Sequence, residues 1–174
     1  MHADRERNLL GAWALVVSDA VRDGIEAVVG AGGAAPAALV TIAAFPGQTM
    51  EELRRALEIS QPGTLRLVER LTAEGLVERR VSAEARGAGL VLTAQGQSLV
   101  DRLLQEREQA LSSLLAPLDA AERAELARLV EKALWSRAAD GRDPRHICRV
   151  CDRGVCERCP VDVGASTQAG REKE

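Results

Sequence analysis

The sequence predicts a mainly α fold with a small β wing: a winged helix-turn-helix framed by long N- and C-terminal helices. Three observations carry that expectation. Residues 49–93 hold two short helical patterns split by a tight turn and followed by two strand-like runs. Long stretches of helical apolar spacing flank this unit on both sides. Hydrophobic residues make up 46% of the chain but aromatics only 2%, so the core must be built from Leu, Val and Ala.

The first helix of the central unit opens at Thr49, where Glu52 completes a capping box. Leu53 and Leu57 share a face at i, i+4, with Arg54 and Arg55 turned outward. Glu58-Ile59-Ser60 forms the turn, and Ser60 caps a second helix in which Pro62 occupies the first turn, where a missing N–H costs nothing. Thr64, Leu67, Val68 and Leu71 make its buried stripe, and Gly75 ends it. Leu76–Val81 and Gly89–Leu92 read as strands around the loop Ser82–Ala88.

Before this unit, residues 4–29 place Leu9, Leu10, Trp13, Val16, Val17, Val21, Ile25 and Val28 at helical spacing, which predicts a helix about 39 Å long. The run Gly30–Pro36 breaks it, and Ala37–Phe45 forms a short apolar helix. After the wing, Thr93 caps a helix reaching to about Leu115, and Asp119 with Glu122 signals the start of a last helix over about 120–138. These terminal helices carry more apolar surface than one side of a core requires, which predicts a homodimer.

The run Ser60-Gln61-Pro62, Arg66-Leu67-Val68-Glu69-Arg70-Leu71, Gly75-Leu76-Val77-Glu78-Arg79, Leu92-Thr93 and Gly96 resembles the core of MarR-type transcriptional regulators over residues 5–138. The wing's Glu84-Ala85-Arg86 stands at the place of that family's Asp-x-Arg, so Glu84 is expected to brace Arg86. The second helix departs from the family at Gly63-Thr64-Leu65, which replaces a hydroxyl-rich start, so a base preference does not carry over. The resemblance implies a two-fold dimer on a palindromic operator in double-stranded DNA, acting as a repressor and answering to a small-molecule or redox effector that the sequence does not identify. Such symmetry sets two recognition helices about 34 Å apart. The expected DNA contacts are Gln61, Pro62, Leu65, Arg66 and Arg70 on the second helix, with Arg86 in the minor groove. Seven Arg balance seven Glu over residues 49–93, so attraction to DNA depends on placement rather than on excess charge.

All four cysteines of the chain fall in one C-x2-C-x4-C-x2-C run, Cys148, Cys151, Cys156 and Cys159, behind the linker Asp140–Pro144. Four thiolates suit a tetrahedral zinc ion, with His146 as a further candidate ligand or an outer partner. An iron–sulfur cluster and a metal-free thiol switch are the alternatives. Arg145, Arg149, Arg153 and Arg158 stand ready to hold thiolates or to touch phosphates.

The expected organisation is therefore 1–139 for the winged helix-turn-helix with its dimerisation helices (DNA-reading core 37–93), 140–165 for a metal-binding tail, and 166–174 for a disordered end. No secretory pattern or membrane-spanning stretch is visible, which predicts a cytoplasmic protein with no membrane partner. No catalytic constellation accompanies His2 and His146, the only histidines, so no enzyme is expected. The competing functions are a winged-helix protein-interaction module that reads no DNA, and a Cys-x2-Cys thiol redox protein.

Overall fold

The computed structural model describes residues 2–30, 33–81, 88–137, 143–156 and 159–162. Along the chain run α1 (His2–Val29), α2 (Ala35–Ala44), α3 (Met50–Leu57), α4 (Gln61–Ala73), β1 (Val77–Val81), β2 (Ala88–Leu92), α5 (Ala94–Leu115), α6 (Ala120–Arg137) and the single turn α7 (Pro144–Ile147). The mainly helical architecture with a small wing is as the sequence predicts. Individual ends shift by a residue or two: α2 starts at Ala35 and β1 at Val77.

The helix-turn-helix is set by local chemistry. The Glu52 N–H donates to Thr49 Oγ1 at 3.2 Å while the Thr49 N–H donates to Glu52 Oε2 at 2.7 Å, closing the capping box. Glu58 then takes a left-handed conformation, φ 53°, and turns the chain. Ser60 Oγ accepts from the Gly63 N–H at 3.3 Å, and Pro62 lies in the first turn of α4. The low helix propensity of Gly63 is countered next to it by Thr64, whose buried hydroxyl donates to the Ser60 carbonyl at 3.1 Å. Thr64, Leu67, Val68 and Leu71 are the buried residues of α4, the same four that the periodicity assigns.

β1 and β2 pair antiparallel with Val77 opposite Leu92 and Arg79 opposite Leu90. The residues just before α3 extend this sheet: the Gly47 N–H donates to the Leu90 carbonyl and the Leu90 N–H to the Gln48 carbonyl. Gly89 is required there, because a Cβ would lie 2.4 Å from the Gly47 oxygen.

Leu39, Ile42, Leu53, Val68, Leu71, Val77, Leu90, Val100 and Leu103 form the centre of a single core. Burying each such side chain stabilises the fold by about 1.5–3 kcal/mol. α2 is embedded throughout, with Ala35 to Ile42 all buried. α1 and α5 pack along each other, so Val21, Ile25 and Val28 reach the core, whereas Leu9, Leu10, Leu15 and Val16 in the outer half of α1 stay exposed. α6 buries none of its residues and exposes Leu129, Val130 and Trp135.

The cysteine-rich segment lies against this body. Val150 packs on the core, Val161 is 1% exposed, and α7 rests on α3. The expected boundary at 139/140, the wing loop with Glu84 and Arg86, and the 166–174 end lie outside the described residues. Among the described residues no helix is long and apolar enough to cross a membrane.

Candidate nucleic-acid interface

Because the stripe on α4 faces inward, the opposite face is set by geometry. Gln61, Pro62, Leu65, Arg66, Glu69 and Arg70 are all exposed, at the capped and amide-rich start of the helix and one to two turns beyond. Five of the six residues expected to contact DNA are therefore together on one open surface, and Arg86 lies outside the described residues. The cations differ in availability. Arg70 Nε is 3.8 Å from the Glu74 carboxylate, while Arg66 has no ion-pair partner among the described residues. Leu65, 42% exposed, presents an apolar contact in the middle of this polar face.

On α3 the outward arginines are tied down. Arg54 and Arg55 both bond Glu51, at 2.7 and 2.9 Å. Those bonds, Arg54's first, hold the Glu51 carboxyl down to about 2. Two exposed arginines on β1 add cations that the motif reading passed over. Arg80 pairs with Glu78, whereas the contact of Arg79 among the described residues is to Met50 Sδ at 3.3 Å. Their signal was the strand alternation, which sets Arg79 and Arg80 on opposite faces of the wing.

The cysteine segment is folded as a knuckle. Cys148 Sγ and Cys159 Sγ are 3.7 Å apart, bringing together the two ends of the motif. The Cys151 N–H donates to the Cys148 carbonyl at 3.0 Å. The Cys151 thiol is drawn down to about 6, first by its bond with Cys148 and then by Arg107, Arg153 and Arg149, against the opposing effect of burial. Its partner Cys148 is raised correspondingly, since it keeps the proton. All four cysteines are free thiols, and Cys156 is exposed. Among the described residues no group of three or more His, Cys, Asp or Glu side chains is preassembled around a metal position.

His146 is not with the thiols. Its Nδ1 lies 3.1 Å from the Ala56 carbonyl oxygen and its Nε2 3.5 Å from Glu58 Oε2, so both ring nitrogens face the turn between α3 and α4. In this arrangement the ring is engaged by the turn, where the sequence reading offered it to the cysteines. The tail arginines are also used internally. Arg145 pairs with Asp143 at 2.6 Å, Arg149 Nη1 donates to the His146 carbonyl at 2.6 Å, and Arg153 pairs with Asp162. Arg145 and Arg153 also stack over Phe45, 5.8 and 4.7 Å from the ring centroid. Arg149 and Arg153 also help lower the Cys151 thiol by their charge, and both are engaged within the segment. Arg158 lies outside the described residues. Between the knuckle and α6 is a cavity of about 560 Å³, bounded by Val130 and Leu134 on one side and Ile147, Cys151, Cys156 and Val161 on the other.

Comparison with known proteins agrees with this architecture. The MarR family model matches residues 31–86, from the start of α2 into the wing. The solved structure of RV1404 from Mycobacterium tuberculosis superposes with a TM-score of 0.66 at 19% identity, spanning 82% of this chain and 99% of that one. A MarR family protein from Bacillus stearothermophilus gives 0.67 at 20% identity, spanning 76% and 92%. Wild-type MarR from E. coli in its apo form gives 0.58 at 25% identity, spanning 72% and 96%. These neighbours are matched almost whole, while 18–28% of this chain has no counterpart in them. No curated protein matches the sequence. The helix-turn-helix, the paired wing and the framing helices are thus those of the winged helix-turn-helix fold of solved MarR structures, and residues 31–86 carry the match to the MarR family model.

Proposed function

We propose that this MarR-type regulator is a homodimer that binds a palindromic DNA operator through α4 and the wing and represses transcription by occupying it. The observation that carries the reading is the division of α4 into a fully buried stripe and an exposed face of Gln61, Pro62, Leu65, Arg66 and Arg70. A helix held so firmly from behind can enter a major groove without losing its own packing. Its first residues then meet base edges, Arg66 suits guanine or phosphate, and Leu65 suits a thymine methyl. Arg86 reaches the adjacent minor groove in this reading, and Arg79 on β1 adds a phosphate contact.

The dimer follows from apolar surface left uncovered on α1 and α6, where Leu9, Leu10, Trp13, Val16, Leu129, Val130 and Trp135 are each 38–69% exposed. A second copy of the same surface is the usual cover. The test uses duplexes selected by the protein from a random library, with affinity followed by fluorescence anisotropy over a salt series. Sequence-selective binding with a steep salt slope is expected, and Arg66→Ala should weaken it and lower the log K versus log salt slope by about one. A protein that retains no duplex, or binds all sequences alike, is not reading DNA, and the protein-interaction function then takes its place.

A further inference from the structure

We propose that Cys148, Cys151, Cys156 and Cys159 together bind one zinc ion, and that the loaded knuckle braces the turn between α3 and α4. The consequence for DNA rests on the regulator reading above; the metal site and its contact with the turn do not. Two independent sets of observations meet here.

The first is the donor geometry. Tetrahedral thiolate coordination at a Zn–S distance of about 2.3 Å sets neighbouring sulfurs roughly 3.8 Å apart. Cys148 and Cys159, the outermost members of the motif, are already 3.7 Å apart. The Cys151 N–H donates to the Cys148 carbonyl at 3.0 Å, and all four cysteines line the one cavity between the knuckle and α6. Cys156 is the one exposed thiol of the four, so a four-sulfur shell requires its side chain to turn inward. Four donors within twelve residues, with the two ends of the run meeting, converge on one small ion. Each thiol gives up its proton as it binds.

The second is where the knuckle is attached. A helix leaves its last carbonyls without partners inside the helix. At the end of α3 the Arg54 and Arg55 carbonyls accept from Ile59 and Glu58, and the Ala56 carbonyl accepts from the ring of His146. The same ring faces the carboxylate of Glu58, the left-handed residue on which the turn pivots. His146 sits in α7, two residues before Cys148, and Arg149 bonds back to its carbonyl. On the other side Arg145 and Arg153 clasp Phe45 at the end of α2. A segment of about twenty residues has little core of its own and leans on the body through Val150 and α7, and a metal ion is a usual further support for so small a unit. Zinc binding is thereby coupled to the helix pair that presents α4, to the extent that the ion favours the docked arrangement.

The test uses the full chain purified without oxygen from zinc-replete cells. Metal content, the visible spectrum and the spectrum after cobalt(II) substitution are recorded, followed by amide hydrogen exchange with and without a chelator. Expected are one zinc per chain, tetrahedral cobalt–thiolate bands, and exchange at residues 56–63 at least tenfold faster once zinc is removed. Re-addition of zinc should restore protection. Cys148→Ser/Cys159→Ser should lose the metal; should that variant not fold, stripping and reloading the natural chain decides the same point. His146→Ala should keep its zinc yet exchange rapidly at 56–63 in either state. A substoichiometric zinc content, or an iron–sulfide chromophore, overturns the metal assignment. Bound zinc with unchanged exchange at 56–63 overturns the brace. If the chain retains no duplex, the DNA reading falls, while zinc content and exchange still decide this proposal. Where it does retain one, zinc removal is expected to weaken that binding about tenfold.

Discussion

At the scale of single residues, the fold depends on a few positions where atoms have no room to move. Gly96 is the third residue of α5, and its N–H donates to the capping hydroxyl of Thr93 at 3.0 Å. A Cβ there would sit 2.1 Å from the Leu76 carbonyl oxygen, which itself accepts from the Thr93 N–H. The obstacle is backbone rather than a flexible side chain, so Gly96→Ala should destabilise the protein by more than about 2 kcal/mol despite its higher helix propensity. Urea unfolding measures this directly; a midpoint equal to the unmodified protein's would mean that β1 and α5 are not held at that junction. Glu52 offers a subtler test. Its carboxyl lies below the ordinary 4.5, because it accepts from the Thr49 N–H and then from the Thr49 hydroxyl, against a weaker effect of burial. A carboxyl depressed on folding adds stability above its ordinary value and loses it as pH falls through the folded one. Asp143, depressed by Arg145, acts with the same sign. Glu52→Gln keeps a side chain able to accept from the cap but removes the titration, so its stability should decline less than the parent's between about pH 5 and pH 3. Parallel acid-unfolding curves would show that the capping carboxylate carries no linkage.

At the scale of elements, what could be foreseen from sequence divides by the range of the interaction. α3 and α4 were legible because their signals are local: a capping box, Ser60 and Pro62 at a helix start, and an apolar stripe at helical spacing. Removing one such signal has a bounded cost, and Ser60→Ala should cost about 1 kcal/mol in thermal or urea unfolding. That variant leaves the buried Thr64–Ser60 backbone bond in place, because the carbonyl and not the side chain accepts it. A loss well beyond that figure would show that the cap positions the whole reading helix rather than its first turn. The exposed face of α4 follows from the buried one, which is why five expected DNA contacts emerge together. The docking of α7 was not legible. His146 meets Ala56 across 90 residues of sequence, and no local pattern records such a contact. Its proximity to four cysteines pointed instead to the thiols, the nearest ligands in the chain rather than in space. The same applies to Arg145 and Arg153, whose positions over Phe45 depend on how the tail returns to α2. Gly89 and Gly96 were likewise invisible as requirements, since only the fold brings another backbone against them.

At the scale of the whole molecule, the single chain leaves its apolar surface unevenly distributed. The inner half of α1 reaches the core through Val21, Ile25 and Val28, while Leu10 in the outer half is 69% exposed and Leu9 53%. α6 has no buried residue, and Leu129, Val130 and Trp135 are each nearly half exposed. A helix with no buried face gains little stability from tertiary packing, and 18 residues alone are marginal in water. A partner that covers α1 and α6 resolves both deficits, and it also fixes the distance between two α4 helices, which a palindromic operator requires. Replacing Leu10 and Leu129 together with Glu puts charges where each partner would bury an apolar side chain, and an unpaired charge is costly to desolvate. The double variant should sediment as a monomer at micromolar concentration, where the parent is expected to sediment as a dimer. Its α2–α4 core, which contains neither residue, should keep its protection from hydrogen exchange, so loss of assembly can be told from loss of fold. DNA affinity should fall by at least tenfold, because each half-site is then held by one reading head without the gain in effective concentration that a linked second head supplies. A parent that sediments as a monomer, or a variant that remains dimeric with unchanged affinity, would move the interface away from α1 and α6.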